Sequence, residues 1–284
     1  MRRLIVNADD FGLCDSVNAA VIDAFAAGCL SSTTLLVNGA AAAAAATLAR
    51  AHAGLGVGLH FNLTLGAPSA PAAEVPALLG ADGAFPDRSE IARRALRGRL
   101  DRDQLRRELR AQFDAFAALG LRPTHVDSHQ HVHALPPVFD VVAAECAARG
   151  LPLRQPEVLG LRTGRPDLGR RLRSGLLALF NRRNAWRWRG RLRSNRGFAS
   201  LFDFGAVPAQ PAAQHYRELL TAAAGDPLEL MVHVVREADA VQGLTRIGAA
   251  AAAEWRFLRD GGLRPLIAEQ NLRLCTYAQA FEEN

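Results

Sequence analysis

LIVNADDFGLCDSVNAAVIDAFAAG, residues 4–28, decides the fold. Leu4-Ile5-Val6 is a short, continuous, partly β-branched apolar run, the pattern of a strand buried on both faces in a parallel sheet. Asp15 or Ser16 then caps a helix that puts Val17, Ala20, Val21, Ala24 and Phe25 on one face, and Gly28 ends it. Working outward, STTLLVNG (32–39) reads as a second strand. AAAAAATLARAH (41–52) has very high helix propensity, and GVGLHFNLTLG (56–66) reads as a third strand. The β-α-β-α-β alternation predicts a parallel sheet with crossover helices.

The remainder continues the rhythm less regularly. Residues 67–88, rich in Pro, Ala and Gly, read as a long loop, and 89–119 as charged helix. Leu121–Val126 leads a strand into a histidine cluster, followed by a helix over 136–150 and a short strand in LPLRQP (151–156). Within 162–196, crowded with arginine, Leu168, Leu172, Leu176, Leu179 and Phe180 have helical spacing, and Trp186 and Trp188 sit among the arginines. A Phe-rich turn, a helix near 215–224, the strand LELMVHVV (228–235), a helix over 249–262 and LRLCTYAQAF (272–281) complete the chain. Seven or eight strands alternating with helices over 284 residues predict one domain, 1–284, folded as an α/β barrel. A doubly wound open sheet is the alternative, but NADDFG after the first strand holds no glycine-rich phosphate loop.

Composition narrows the partners. The net charge is +6, yet all 34 basic residues are arginine, which with the abundant alanine reads as GC-rich coding bias; no nucleic-acid partner is expected. Cys14, Cys29, Cys146 and Cys275 form no CxxC pair and read as reduced thiols. The apolar run at the N-terminus is too short for a signal peptide, and no stretch reads as a membrane span, so a cytoplasmic location is expected.

Ligands of α/β sheets bind at the C-terminal ends of the strands. The predicted strand ends carry Asn7, Asp9, Asp10, Asn38, His60, Asn62, His125, Asp127, His129, Arg154 and His233. Asp9 and Asp10 are adjacent, so strand alternation points their side chains in different directions. They are read either as a helix cap or Asx-turn, or as carboxylates whose repulsion a divalent cation relieves. Four of the eight histidines fall in THVDSHQHVH (124–133). The strand cannot run far past Ser128, so His125, with His129 as a second candidate, is expected to face the pocket, and His131 and His133 to line the loop above it. One Asp with two or three imidazoles suits Zn²⁺ or another first-row metal. Arg154 could orient an aspartate by a bidentate contact, and His233 could act as a general acid.

LIVNADDFGLCDSVNAAV, SSTTLLVNGAA, GVGLHFNLTLG and PTHVDSHQHVH, in this order over most of the first 156 residues, resemble the YdjC/ChbG family of metal-dependent carbohydrate deacetylases. The later half matches mainly through the strand carrying His233, where the family usually shows HP and this chain has HVV. The resemblance implies a distorted TIM-like barrel that removes an N-acetyl group from amino sugars by metal-activated water. It implies a divalent ion on Asp10, His60 and His125, Asp9 as general base and His233 as acid, with His129 joining or replacing His125. Mg²⁺ is often assigned in the family, but imidazole ligands favour Zn²⁺. Asn38, His129 and Arg154 are expected to bind substrate or support the site. Some family members act in hopanoid pathways on sugar-decorated lipids, so the substrate expected is an N-acetylated sugar or a glycolipid. The basic helix of 162–196 then either packs its apolar face on the barrel or lies on a membrane surface. A homodimer is expected. The competing functions are a metal-dependent phosphoesterase and a non-catalytic carbohydrate-binding protein.

Overall fold

The computed structural model describes residues 1–156, 168–201 and 211–282. The apolar opening stretch becomes β1 (Arg2–Phe11), buried from Leu4 onward, and the strand on which the sheet is built. The following elements are α1 (Asp15–Ala26), β2 (Ser32–Leu35), α2 (Ala42–Ala51), β3 (Gly56–Phe61), α3 (Arg88–Leu96), α4 (Arg102–Ala118), β4 (Val126–Ser128) and α5 (Pro136–Arg149). Then come α6 (Leu168–Arg187), β5 (Gly197–Ser200), α7 (Ala213–Ala222), β6 (Leu228–Val232), α8 (Gly248–Arg259), α9 (Arg264–Glu269), β7 (Leu272–Leu274) and α10 (Tyr277–Phe281).

The strands run in the order β4-β3-β2-β1-β6-β5, with β7 paired to the start of β1. Every pairing is parallel. Parallel strands deliver all their C-terminal ends to one rim, which is where the polar residues were expected. The sheet curls, and its last gap is laced by the segment after α5. Leu153 bridges to Val126 of β4, while its N–H donates to Arg193 O at 2.9 Å. The Gln155 N–H donates to Asn195 Oδ1 at 2.7 Å, and Asn195 Nδ2 donates back to Gln155 O and to Gly197 O of β5. The result is the distorted α/β barrel expected, with helices outside.

Three elements differ from expectation. The strand expected from Leu121 starts only at Val126, and LPLRQP contributes a single bridge because its edge partner is irregular chain. β5 occupies the start of the expected Phe-rich turn; GFAS carries little strand signal of its own and is fixed by pairing with β6. The rest of that turn, 202–210, lies outside the described residues.

The expected long loop is pinned by buried polar groups of α4. Glu108 accepts the N–H groups of Ser69 and Ala70 at 2.9 and 3.0 Å. Gln112 bonds both the N–H and the C=O of Asn62. The same helix places Leu105, Leu109, Phe113 and Phe116 in the core, at the spacing of one helix face.

α6 corrects the packing expected of the arginine-rich segment. Leu172, Leu176, Leu179 and Trp186 are exposed, Trp186 to 78%. Polar anchors set the rotation of the helix. Arg183 pairs with Asp140 at 2.7 Å, Asn184 Nδ2 donates to Ala134 O at 3.0 Å, and the Trp188 indole donates to Asp140 at 3.1 Å. Ser174, Ala178, Asn181 and Ala185 turn toward the barrel seam, where they help line a cavity of about 1060 Å³. The leucines therefore point away from it. Residues 162–167 of the segment lie outside the described residues.

Candidate active site

The barrel interior is polar. Strand alternation turns Asn7 and Asp9 of β1, Thr34 of β2, His60 of β3, Asp127 of β4 and Glu229 of β6 inward. All six are buried. Arg154, fully buried, enters from the seam and holds this ring together. Its Nη1 and Nη2 each donate to an Asp9 carboxylate oxygen at 2.7 Å, its Nε donates to Glu229 at 2.8 Å, and Nη1 lies 2.7 Å from Asp127 Oδ2. The bidentate contact expected of Arg154 is thus made to Asp9. Burial would raise the Asp9 pKa, but the Arg154 guanidinium holds it well below the usual carboxylate range. Glu229 shares the same cation less favourably, and burial pushes it up to about 7.

Asp9 and Asp10 do not point in opposite directions, as simple alternation predicts. Between Ala8 and Phe11 the register with β2 gains one residue on β1, and Asp10 takes a left-handed backbone (φ 67°). This bulge turns both carboxylates to the barrel mouth. Asp tolerates the left-handed region better than most residues, at a cost on the order of 1 kcal/mol.

At the mouth Asp10 Oδ1 lies 2.8 Å from His129 Nδ1 and 3.2 Å from His60 Nε2. Asp10, His60 and His129 are all buried and present one ligand atom each toward a common point. His60 Nδ1 is tied to Asp127 Oδ1 at 2.7 Å, which fixes its ring with Nε2 aimed at Asp10. A carboxylate behind a ligating imidazole is the usual support for a metal-bound histidine. Among the described residues Nε2 itself has no hydrogen-bond partner. Burial alone would lower the His60 pKa, but the carboxylates of Asp127, Asp10 and Asp9 push it up to about 10. The surrounding carboxylates therefore favour positive charge at this nitrogen, which a proton or a divalent ion would supply. One carboxylate oxygen and two imidazoles fit a first-row divalent metal with open positions.

His125, expected in the metal set, is not at the mouth. It precedes Asp127, which is level with His60, by two residues, so it lies deeper by about 7 Å. Its ring stacks on Tyr277 at 3.8 Å, and its nitrogens are engaged by Thr124 Oγ1 at 2.9 Å and Asn7 Oδ1 at 3.1 Å. Gly58 makes room for it, since a Cβ there would meet the ring at 2.6 Å. His129, two residues past Asp127, takes the place at the mouth. The chain then turns through left-handed Gln130 and His131. His133 is buried and braces the turn, bonding Ser128 Oγ at 2.6 Å and Arg154 O at 2.9 Å.

Asn38 is a supporting residue of the loop after β3. Its amide donates to Leu65 O and Ala67 O, and its oxygen accepts from Asn62, so its bonding capacity goes to holding the loop after β3. His233 follows β6 at the same rim, half-buried. Burial lowers its pKa, against the opposing charges of Asp9 and Asp10. Residues not singled out from the sequence support the site: Glu229, Tyr277 and Thr34. A glutamate inside the apolar strand LELMV was the available signal, because a buried acid requires a partner.

A curled parallel α/β barrel with an Asp/His cluster at its mouth defines the class of protein. The chain matches the model of the YdjC-like protein family over residues 3–269, and it belongs to that family. It is 46% identical over 165 residues to a carbohydrate deacetylase of Geobacillus stearothermophilus, covering 58% of this chain and 62% of the relative. It is 45% identical over 154 residues to a chitooligosaccharide deacetylase of Yersinia pestis, covering 54% and 59%. The matched region thus spans about three fifths of these relatives. The crystal structure of a putative cellobiose-phosphate cleavage protein from Enterococcus faecalis shares the fold, with a TM-score of 0.76, 24% identity and 98% coverage of both chains.

Proposed function

We propose that this protein is a metal-dependent carbohydrate N-deacetylase, with Asp10, His60 and His129 as the metal ligands. The observation that carries the reading is the buried His60 Nε2, 3.2 Å from Asp10 Oδ1 and grouped with His129, beside an ionised Asp9. A divalent ion bound there, Zn²⁺ in preference to Mg²⁺ on its imidazole ligands, would polarise an acetyl carbonyl and acidify a water.

The chain's own residues supply the rest. Arg154 keeps Asp9 ionised and fixes its plane. Asp9 Oδ1 is bonded by Arg154 and Asn7, whereas Oδ2 accepts one hydrogen bond from Arg154 and keeps a lone pair for the proton of the attacking water. Asp127 holds the His60 ring. In this reading His233, under the influence of Asp9 and Asp10, protonates the departing amine; a histidine with a lowered pKa is a strong acid once protonated. The relatives' names support an N-acetylated sugar as substrate.

The outward stripe of Leu172, Leu176, Leu179 and Trp186, on a segment with no acidic residue from 168 to 201, supports contact with an anionic membrane surface and hence a glycolipid substrate, such as a sugar-decorated hopanoid. No helix among the described residues is long and apolar enough to cross a membrane. Co-sedimentation with anionic vesicles, lost in L172E/L176E, is the expected result. Concentration-dependent self-association through the same stripe, by light scattering, would instead favour the homodimer.

A two-metal phosphoesterase fits less well. In the second group of ligand types, Asp9 and Asp127 already pair with the Arg154 guanidinium, and His60 is shared with the first group. The deciding assay is acetate release from N-acetylated sugars with and without chelator. Release that the chelator abolishes is expected. Phosphate release from phosphorylated sugars would overturn the reading, and binding without any turnover would favour a carbohydrate-binding protein.

A further inference from the structure

Two buried groups behind the barrel have no part in the chemistry above. Glu254 of α8 and Tyr216 of α7 are both fully buried. Tyr216 donates its hydroxyl to Glu254 Oε1 at 2.8 Å, and the His233 N–H donates to Glu254 Oε2 at 2.8 Å. Among the described residues no cation hydrogen-bonds to Glu254. A carboxyl buried on these terms is costly, and burial pushes it up to about 8.

The position of the acceptor explains its presence. The last ladder pair of β6 is Val232 with Ala8, so His233 is the first residue beyond the sheet. A backbone N–H leaving a buried strand needs an acceptor. Glu254 provides it, at the first residue past the ladder. His233 has the parity of Glu229 and Met231, whose face is the inward one, and it feels the charge of Asp9. Tyr216 uses the other carboxyl oxygen and fixes its plane.

We propose that Glu254, oriented by Tyr216, is a positioning residue that aims His233 at the leaving group. This rests on the reading of His233 as the acid. Glu254→Met removes both acceptors at similar volume, while Glu254→Gln keeps one acceptor for the His233 N–H and an amide that the tyrosine oxygen can accept from.

The test is kcat on an N-acetylated chitooligosaccharide and on an activated acetyl ester whose leaving group needs no proton. Glu254→Met is expected to lose tenfold or more in kcat on the amide with KM little changed, and to lose almost nothing on the ester; Glu254→Gln should stay within about threefold of wild type on both. His233→Ala should show the same amide-specific loss, and the double variant should be no worse than His233→Ala alone. Equal losses on amide and ester, or additive losses in the double variant, would overturn the proposal. If Glu254→Met does not fold, Tyr216→Phe replaces it, with a smaller loss that must still vanish on the ester. Wild-type kcat in His233→Ala would refute the acid role itself; a crippled His233→Ala beside a fully active Glu254→Met would refute the positioning alone.

Discussion

Replacing Arg154 by methionine isolates the ion that organises the barrel. Arg154 is fully buried, as are Asp127 and Glu229, and Asp9 is 3% exposed. Solvent therefore screens none of these contacts appreciably. Breaking a buried ion pair by removing one partner costs about 3–5 kcal/mol, because the remaining charge stays buried and unpaired. Here three carboxylates lose one shared cation, so the upper part of that range is expected. For a chain of this size each kcal/mol moves the midpoint by roughly 2–4 °C, so a loss of about 4–5 kcal/mol should lower the melting temperature by about 8–20 °C. Calorimetry and urea titration measure it. A second comparison tests the cause. Glu229→Gln should destabilise the wild-type protein, where it weakens a charged hydrogen bond worth about 1.5–3 kcal/mol. In the Arg154→Met background the same change should stabilise, since it removes one of three uncompensated acids. Arg154→Met within 1 kcal/mol of wild type, or the same sign for Glu229→Gln in both backgrounds, would refute the claim that Arg154 neutralises this cluster.

Metal analysis by mass spectrometry should find Asp10→Ala and His129→Ala retaining less than about a tenth of the bound ion, in line with loss of a direct ligand. His125→Ala should retain most of it, because that ring lies below the mouth against Tyr277. Gly58→Ala should cost about 1–3 kcal/mol in urea, as expected for overpacking, since the new methyl meets three atoms of the His125 ring at 2.6–2.8 Å. Glu254 titrates near 8 in the folded protein against an ordinary value of 4.5, so the folded state holds the proton that the unfolded state has lost. Its contribution to stability is therefore largest below 4.5 and falls as pH rises to about 8, by at most about 1.4 kcal/mol per pH unit. The stability difference between wild type and Glu254→Gln, followed by urea denaturation from pH 5 to 8, should shrink or reverse in that direction.

Periodicity and turn chemistry were enough to place β1, α1, β2, α2 and β3, since each carries its own signal: a continuous apolar run, a one-sided helix face, or a terminal glycine. β5 carried no such signal, because GFAS is a strand only by virtue of its neighbour. The set of polar residues at the strand ends was also legible, and Asp9, Asp10, His60, Arg154 and His233 do meet at one rim. Their assignment was less so. His125 and His129 have the same residue type and the same parity, and four residues separate them; only the level at which β4 pairs with β3 distinguishes the histidine in the floor from the one at the mouth.

The sequence by itself determined the alternation of parallel strands and helices, and with it the end of the barrel that carries chemistry, because burial periodicity and strand direction are local properties of the chain. Only the tertiary structure decided which of those polar residues act together. A one-residue bulge turns Asp10 beside Asp9, Arg154 crosses the barrel to three carboxylates, and the anchors at Arg183 and Asn184 rotate the leucines of α6 outward. Each depends on partners on other elements of the fold, through electrostatic and packing terms that no local window of sequence contains.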